Sequence, residues 1–324
     1  MNVSILMFDN CTAISSLGSY DLLHKANYYA RLNNNFQSDL FNAELVGIHS
    51  KKIAEVNGIS VNVHNIINEV KETDLLIIPG IDDLIEETID NNKKCLDWIR
   101  NIYYRGADVA SICTGAFILA ETGLADNKTM TTHWIAEDLF KIRYPGVKLA
   151  INKIIVDEGQ ICSSGGATSF MNLMLYLIEK YGSKELSNFC SKVFLVDKNK
   201  SSQNSYAIFS TQKNHSDENI LKTQQFIEKN YSESINIDSL SEIAFTSKRN
   251  FIRRFKKATG NTPKEYIQRV RIEAAKRNLE ATSSTILEII DQVGYEDYSS
   301  FRKLFLRYTG LSMSKYRLKY QNSF

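Results

Sequence analysis

The sequence predicts a two-domain fold, an α/β domain with a parallel sheet between helices and then an all-helical domain. The 324 residues exceed what a single hydrophobic core usually holds. The first 180 residues alternate short apolar runs with helical patterns, which is typical of a parallel sheet. From residue 217 the pattern is wholly helical, and the segment 251–266 returns fifty positions later as 301–316.

Five short apolar runs in the first part of the chain are predicted as strands, because each is bounded by turn-forming or polar residues. The segments between them carry helical spacing of apolar residues and complete the β-then-α alternation. The predicted strands are 3–8, 45–48, 74–79, 108–113 and 154–156, and the predicted helices are 19–33, 93–104, 114–121, 135–141 and 167–180.

A polar segment rich in Lys, Asn, Ser and Gln separates the two patterns and is predicted to be a linker. The predicted organisation is therefore a first domain over 1–195, a linker over 196–216 and a second domain over 217–324. Charge divides in the same way, with a net +6 after residue 214 and −4 before it. This asymmetry favours a polyanionic partner for the second domain.

The first half of the helical domain shows clear start and stop signals. A helix over 217–229 is followed by one that Asp238 caps and that runs to about 245. Ser247 caps a third helix, and Gly260 ends it. The run Thr262-Pro-Lys-Glu265 combines a capping box with proline at the first helical position, which predicts a connecting helix to about residue 280.

The second half repeats these signals. Thr285 and Glu288 form another capping box, for a helix that stops near Gly294. Asp297 caps the next helix, and Gly310 ends it. Two similar helical units joined by a rigid helix are suited to reading successive turns of one DNA face.

The composition excludes several classes of protein. No apolar run is long enough to span a membrane, and the N-terminus lacks the pattern of a secretory signal, so we expect a cytoplasmic protein with no membrane partner. The five cysteines form no C-x-x-C pair, and the five histidines show no metal-ligand spacing, so neither a metal nor a cofactor is expected. Four of the cysteines are expected to be buried small apolar residues, namely Cys11, Cys95, Cys162 and Cys190.

The repeat resembles the AraC/XylS family of transcriptional regulators over roughly 217–320. The likeness is carried by Leu240-Ser-Glu-Ile-Ala and by two aromatic, glycine and tyrosine sets in one register, at positions 251, 255, 260 and 266 and at 301, 305, 310 and 316. It implies two helix-turn-helix units that bind double-stranded promoter DNA. The residues implied to face base edges are Arg249, Ile252, Arg253, Tyr298, Ser299, Arg302 and Lys303, and those expected to meet phosphate are Lys256, Lys257 and Arg307.

The α/β part contains a strand, a tight turn and a helix around Ser111-Ile-Cys113-Thr-Gly115. Such an elbow exposes its central side chain at the carboxyl edge of the sheet, in front of a helix N-terminus. That position lowers the pKa of a thiol, and ligands tend to bind there. Cys113 is therefore a candidate nucleophile or a wall of a ligand pocket.

The first 195 residues resemble the class I glutamine amidotransferase-like superfamily in its ThiJ/PfpI branch, which has a flavodoxin-like fold. The matching motifs surround Pro79-Gly80, Cys113, Thr131-Thr-His133-Trp and Cys162-Ser-Ser-Gly-Gly166. Three catalytic features of active relatives are missing: Thr114 stands where a His follows the Cys, Ser15 replaces the acid, and Ile81 replaces a second glycine. The resemblance therefore implies a binding pocket without catalysis, lined by Ser15, Gly80, Ile81, Cys113, Thr114 and His133.

Together these features predict a transcription regulator that acts as an activator and responds to a small metabolite bound in the first domain. The protein is not expected to be an enzyme. The resemblance also implies a homodimer through that domain and, as a further partner, RNA polymerase. Two alternatives remain open at this point. One is a cysteine-dependent hydrolase or hydratase of the ThiJ/PfpI type, and the other is a regulator that senses oxidation through the Cys113 thiol.

Overall fold

A computed structural model describes residues 1–32, 39–50, 52–56, 59–200 and 202–321. The chain divides into two units, Met1–Gln203 and Asn204–Phe324. The first unit is α/β and the second is wholly helical, which confirms the predicted fold class. The last three residues of the predicted second domain, 322–324, lie outside the described residues.

Among its described residues, the first unit is built on a central sheet of seven strands. In chain order the strands of the unit are β1 (Asn2–Met7), β2 (Asn42–Gly47), β3 (Lys52–Val56), β4 (Ile59–Asn62), β5 (Asn65–Ile66), β6 (Leu75–Ile78), β7 (Asp108–Ile112), β8 (Thr129–Met130), β9 (Lys148–Leu149), β10 (Ile155–Asp157) and β11 (Ile161–Ser164). The order in the central sheet is β10-β11-β7-β6-β1-β2-β5. Neighbouring strands run parallel except β10 with β11, while β3–β4 and β8–β9 form separate pairs.

Helices cover the sheet, which explains why its central strands are continuous apolar runs. All four residues of β6 are buried, and so are five of the six residues of β1. The helices of this unit are α1 (Ala13–Leu32), α2 (Ile85–Asn91), α3 (Lys94–Tyr104), α4 (Ala116–Glu121), α5 (Glu137–Arg143), α6 (Phe170–Tyr181) and α7 (Lys184–Val193).

The five predicted strands are confirmed, with ends that shift by a few residues. The predicted helix over 19–33 begins earlier, at Ala13, and its first turns are buried through the small side chains of Ser15, Ser16 and Ser19 and the close approach of Gly18 to Phe170. Its predicted last residue, Asn33, lies outside the described residues. The patterns gave no strand for β11, which is short and polar, and none for the β3–β4 pair.

The second unit consists of seven helices in the part of the chain that the structure describes. They are α8 (Glu218–Asn230), α9 (Ile237–Ile243), α10 (Lys248–Thr259), α11 (Pro263–Ala281), α12 (Ile286–Gln292), α13 (Tyr298–Thr309) and α14 (Met313–Tyr320). They enclose two apolar cores, one around Phe251, Phe255 and Tyr266 and the other around Phe301, Phe305 and Tyr316.

Most of the predicted capping signals hold, although Ser247 stands at the start of α10 without a capping hydrogen bond from its side chain. The side chains of Thr262 and Thr285 accept from the N–H groups three residues on and complete both capping boxes. Gly260 and Gly310 end their helices with φ of 69° and 71°, a left-handed conformation that suits glycine. The prediction that Asp238 caps α9 is wrong. Asn236 is the cap, because its side chain accepts from the N–H of Ser239.

The predicted linker, 196–216, is bonded to its surroundings over much of its described length. Gln203 is buried in the first unit, and Ser205 is buried in the second. The ring centres of Phe209 and Tyr266 lie 5.3 Å apart, and the Arg269 guanidinium lies over the Phe209 ring. Several polar groups of this segment therefore have partners inside the protein.

Candidate functional sites

The first helix-turn-helix unit consists of α9 and α10, held by apolar residues on their inner faces. Leu240 of α9 and both Phe251 and Phe255 of α10 are fully buried. The rings of Phe255 and Tyr266 meet edge-on at 5.3 Å, which ties α10 to α11. The two phenylalanines lie four residues apart, about one helical turn, so the opposite face of α10 is turned to solvent.

That solvent face carries the basic residues of α10. Arg249, Arg253, Lys256 and Lys257 are exposed, whereas Ile252 is half-buried beside the core. The Arg253 guanidinium donates to the side-chain oxygen of Asn250 at 2.8 Å. The arrangement leaves four cations on one side of a helix that has its N-terminus at an exposed turn.

Arg254, the neighbour of Arg253, has a different environment. Its guanidinium donates twice to the Asp217 carboxylate, at 2.7 and 3.0 Å, and Asp217 also caps α8. The hydrogen bonds from Arg254 lower the pKa of Asp217. Arg254 therefore holds α10 to α8 within the unit and is not part of the exposed basic face.

The second helix-turn-helix unit, α12 and α13, repeats this construction. Phe301 and Phe305 are fully buried, and Asp297 caps α13 by accepting from the N–H of Ser300 at 2.9 Å. The Tyr298 hydroxyl donates to the Asp291 carboxylate at 2.9 Å, so part of its hydrogen-bonding capacity is used within the unit. The remaining predicted residues of this face, Ser299, Arg302, Lys303 and Arg307, are exposed.

Helix α11 joins the two units. Its 19 residues span about 28 Å at 1.5 Å per residue. Tyr266 near its start and Tyr316 of α14 hold equivalent places in the two cores, and their hydroxyls donate to Glu228 and Glu280. The repeat seen in the sequence is therefore a repeat of packing, and it sets two basic helices on one rigid support.

The predicted ligand pocket lies at the carboxyl ends of β6 and β7. Cys113 follows β7 with a φ of 55° and begins a short 3₁₀ turn that leads into α4. Gly115 follows because a Cβ there would collide with the backbone oxygens of Ile78 and Pro79. The strained cysteine and the close glycine together form the elbow that the sequence predicted.

Five of the six predicted pocket residues come together at this elbow. Ser15 Oγ accepts from the Gly80 N–H at 3.1 Å, and a Cβ placed on Gly80 would lie 3.5 Å from that of Cys113. Thr114 Oγ1 donates to the Ile81 carbonyl at 2.6 Å and accepts from the Ile81 N–H at 2.7 Å. Two backbone N–H groups beside the thiol are thus already occupied by hydroxyl groups of the same chain.

The expectation of a lowered thiol pKa is wrong. Burial raises the pKa of Cys113 above its ordinary value, although hydrogen bonds from Thr114 act in the opposite direction, and the nearby Asp82 carboxylate raises it slightly. The elbow therefore holds a protonated thiol at neutral pH, because loss of solvent outweighs the helix N-terminus.

His133, the sixth predicted residue, is held by contacts of its own. Its Nδ1 accepts from the Ile135 N–H at 3.1 Å, and its ring centre lies 5.3 Å from that of Trp134. Burial lowers the pKa of His133, which favours the neutral ring. The link to the elbow passes through its neighbour Thr132, whose hydroxyl donates to the Cys113 carbonyl at 2.8 Å.

Sequence reasoning missed three polar residues beside the elbow. Thr12 donates its N–H to the Gly80 carbonyl at 2.7 Å. Thr132 belongs to the Thr-Thr-His-Trp motif, which therefore carried the signal, whereas Gln203 stands in the predicted linker and carried none.

An acid-lined cleft of about 710 Å³ starts at Asp82, directly after Ile81, and its carboxylates are Asp82, Asp83, Glu86, Glu87 and Asp90.

The other four cysteines are buried, as predicted. Burial raises the pKa of Cys11 and Cys190 to about 11 and that of Cys95 and Cys162 to about 12. Within the described ranges no helix is long and apolar enough to cross a membrane. The same residues hold no cluster of His, Cys, Asp or Glu arranged to bind a metal.

Comparison with known proteins assigns both units. Residues 4–180 match the DJ-1/PfpI family, and residues 240–319 match a helix-turn-helix domain. Two similar curated proteins are the HTH-type transcriptional regulators CdhR and GbdR of Pseudomonas aeruginosa. CdhR is 26% identical, covering 84% of this chain and 80% of its own length; for GbdR the values are 24%, 96% and 82%.

A solved structure shows the same fold for the first unit. The AraC family transcriptional regulator from Pseudomonas putida superposes with a TM-score of 0.51 at 16% identity, over 60% of this chain and 98% of its own. The curated relatives span both units, so the pairing of an α/β unit with a helix-turn-helix unit on one chain is shared with them.

Proposed function

Because this chain belongs to the DJ-1/PfpI family and carries an AraC-type helix-turn-helix region behind that domain, we propose that it is a transcription regulator with two binding functions. Residues 204–321 bind double-stranded promoter DNA, and residues 1–203 bind a small effector. The chain is a binding protein and not an enzyme in this proposal, in keeping with relatives that are named as regulators.

The observation that carries the DNA function is the repeated basic face. Helices α10 and α13 have identical core positions, and each presents exposed cations at two equivalent places, Arg253 with Lys303 and Lys257 with Arg307. Arginine near the start of a recognition helix can bind guanine through two hydrogen bonds, whereas cations further along meet phosphate. We assign Arg249, Arg253 and Arg302 to base edges and Lys256, Lys257 and Arg307 to phosphate.

This assignment is tested by competition between DNA duplexes. A duplex enriched from a random pool by the full-length protein is titrated against unselected duplex of equal length at fixed salt. Arg302→Ala should weaken binding to the selected duplex more than to the unselected one, while Lys257→Ala should weaken both equally. If Arg302→Ala instead loses affinity equally for the selected and the unselected duplex, Arg302 does not belong to the base-reading set.

The effector function is supported by the arrangement of the elbow. Cys113, Gly80 and Ile81 meet at the carboxyl edge of a parallel sheet, where ligands of such folds bind. Chemistry at Cys113 is disfavoured because Ser15 and Thr114 occupy the neighbouring N–H groups and burial keeps the thiol protonated. The adjoining cleft is rich in carboxylates, which favours amines as effectors.

The effector acts, in this proposal, by binding two arrangements of a homodimer with different affinity, and so by shifting DNA binding and contact with RNA polymerase toward activation. A thermal-shift screen of the full-length chain against amines, amino acids and their derivatives tests the first step, since a ligand of the folded state raises the unfolding midpoint. Cys113→Ala should keep the response. A response that disappears with the thiol, together with turnover of the compound, would instead support the hydrolase alternative.

The redox-sensing alternative is tested separately. Peroxide treatment of the wild-type protein and of Cys113→Ala should leave DNA affinity unchanged in both, because the half-buried Cys113 thiol is protonated. A peroxide effect on the wild type alone would establish a thiol switch in place of an effector site.

A further inference from the structure

The side chain of Gln203 is inserted into the first unit although the residue belongs to a polar segment. It is 2% exposed. Its Nε2 donates to the Thr132 carbonyl at 2.9 Å and to the Ile151 carbonyl, and its Oε1 accepts from the Trp134 N–H at 3.2 Å. The amide thus has both donors and its acceptor satisfied away from water.

The partners of this amide form a socket made almost entirely of backbone groups. Carbonyls of Thr132, Ile151 and Lys153 surround the nitrogen, and the Trp134 N–H faces the oxygen. A Cβ on Gly165 would collide with the amide nitrogen, so the glycine leaves room for it. A carboxylate would place a second oxygen among carbonyls, and an ammonium would leave the Trp134 N–H unpaired, so the socket selects a primary carboxamide.

The socket is bonded directly to the elbow. Thr132, which accepts from Gln203 through its carbonyl, donates through its hydroxyl to the Cys113 carbonyl at 2.8 Å. The main chain adds a bond from the Gln203 N–H to the Asn152 carbonyl at 3.1 Å. A shift of the Cys113 turn therefore acts on the carbonyl that holds the amide.

The chain after Gln203 is fixed in the second unit almost at once. Lys319 Nζ donates to Ser205 Oγ at 2.9 Å, and the Tyr320 hydroxyl donates to the Ser205 carbonyl at 2.8 Å. Ala207, two residues after Ser205, is also bonded within the second unit, because its carbonyl accepts from the buried Lys276 ammonium at 2.5 Å. One residue of sequence, Asn204, separates the residue bonded into the first unit from the residue bonded into the second.

We propose that this socket is a carboxamide-binding site which Gln203 fills from within the chain, and that its occupancy transmits the state of the Cys113 elbow to the connecting segment. The regulatory part of this inference rests on the proposed effector function, whereas the carboxamide specificity does not. With Gln203 seated, one residue connects the two units. Release of Gln203 from the socket would remove this anchor of the connecting segment on the first unit.

The chemistry of the socket is tested with propionamide as the probe. Gln203→Ala empties the socket, so propionamide should raise the thermal unfolding midpoint of this variant and leave that of the wild type unchanged. Propionate, of similar shape, should have no such effect. The matched control is Gln225→Ala, which removes an exposed glutamine from α8. Stabilisation of all three proteins by propionamide, or of Gln203→Ala by both compounds alike, would overturn the proposal.

The anchoring of the connecting segment by Gln203 is tested by limited trypsin digestion with mass spectrometry. Gln203→Ala should raise the cleavage rate after Lys198 and Lys200 about tenfold, the effect of losing roughly 1.4 kcal/mol of local protection. Gln203→Asn, which keeps the amide on a shorter arm, should give an intermediate rate and serves as the second variant if Gln203→Ala does not fold. Wild-type cleavage rates in Gln203→Asn and in any folded Gln203→Ala protein would refute the proposal that Gln203 anchors the connecting segment.

The regulatory part is read from an amine effector found by the thermal-shift screen. Gln203→Ala should still bind that effector and still bind DNA, while the effect of the effector on DNA affinity should fall at least fivefold. Full coupling in the variant would overturn the regulatory inference. A wild-type protein that shows no effector response would instead reject the proposed effector function, and the propionamide result would still decide the carboxamide site.

Discussion

Substitution of the neighbouring residues Arg253 and Arg254 separates DNA reading from folding. Arg253 is exposed on the basic face of α10, and Arg254 is bonded twice to Asp217. If Arg253 binds a base edge, Arg253→Ala should cost about 1 to 3 kcal/mol on the selected duplex, roughly a 5- to 150-fold loss of affinity. Stability should stay within about 0.5 kcal/mol of the wild type, because the side chain lies on the surface.

Arg254→Ala should give the opposite result. Loss of a two-bond contact to a carboxylate should lower the stability of the second unit by about 1 to 2 kcal/mol, while DNA affinity stays within about twofold. The pKa of Asp217 is lowered in the folded protein, so the contribution of this pair is present above the ordinary pKa of the carboxyl group. It is lost as the pH falls through the lowered pKa of Asp217, so the difference in stability between wild type and variant should shrink in acid.

The assays are fluorescence anisotropy with labelled duplexes at fixed salt and hydrogen exchange of the α10 amides. Hydrogen exchange is needed because both tryptophans, Trp98 and Trp134, lie in the first unit and report nothing on the second. An Arg253→Ala protein that loses equal affinity for selected and unselected duplex would show a phosphate contact only. An Arg254→Ala protein with normal protection of α10 and weakened DNA binding would refute the division of roles.

Three further predictions concern buried polar groups. Thr114→Val leaves both the N–H and the carbonyl of Ile81 without their hydroxyl partner, so the free energy of unfolding, measured by urea unfolding with tryptophan fluorescence, should fall by about 2 kcal/mol. A fall below about 0.5 kcal/mol would contradict these hydrogen bonds. Tyr266→Phe removes the hydroxyl that donates to Glu228 at 2.8 Å and should lower protection of α11 by about 1 kcal/mol in hydrogen exchange, unless that bond is absent in solution. The raised pKa of Cys113 means that folding favours the protonated thiol, so the stability from this group is present at neutral pH and falls as the pH rises above the ordinary thiol pKa. Iodoacetamide should therefore label Cys113 at pH 8.5 at least about tenfold more slowly in the folded protein than in the urea-unfolded protein. Equal labelling rates would show an accessible thiolate.

The helical unit was predictable in detail because its signals are local. Thr262 and Glu265 lie three residues apart and form their capping box within one turn. Phe251 and Phe255 face the core by helical spacing alone. The failure at Asp238 arose because both Asp238 and Asn236 can cap a helix and only the backbone conformation, extended at Asn236, decides between them.

The elbow was predictable in position and not in electrostatics. A strand followed by Cys-Thr-Gly and a helical pattern places Cys113 at the sheet edge. The direction of its pKa shift depends on how much solvent the surrounding chain removes, and that chain comes from distant segments such as those of Ser15 and Gly80. The occupation of the Ile81 N–H by Thr114 depends in the same way on the meeting of two loops.

Gln203 shows the limit of reading from composition. A glutamine among Ser, Asn and Lys is the ordinary composition of a solvated linker. Its burial depends on the carbonyls of Thr132 and Ile151 and on the space at Gly165, which lie between about 40 and 70 residues earlier in the chain. Long-range contacts made by backbone groups leave no pattern in the sequence, because every residue carries the same backbone.

The most direct test of the account is the ratio of affinities of the full-length protein for its selected duplex and for unselected duplex of equal length at physiological salt. Two base-reading helices on one support predict a ratio of about 10³ or more. The double variant Arg253→Ala with Arg302→Ala should lower this ratio by at least about tenfold while the chain stays folded. Equal affinity of the wild-type protein for both duplexes would contradict the proposal that these helices read DNA sequence.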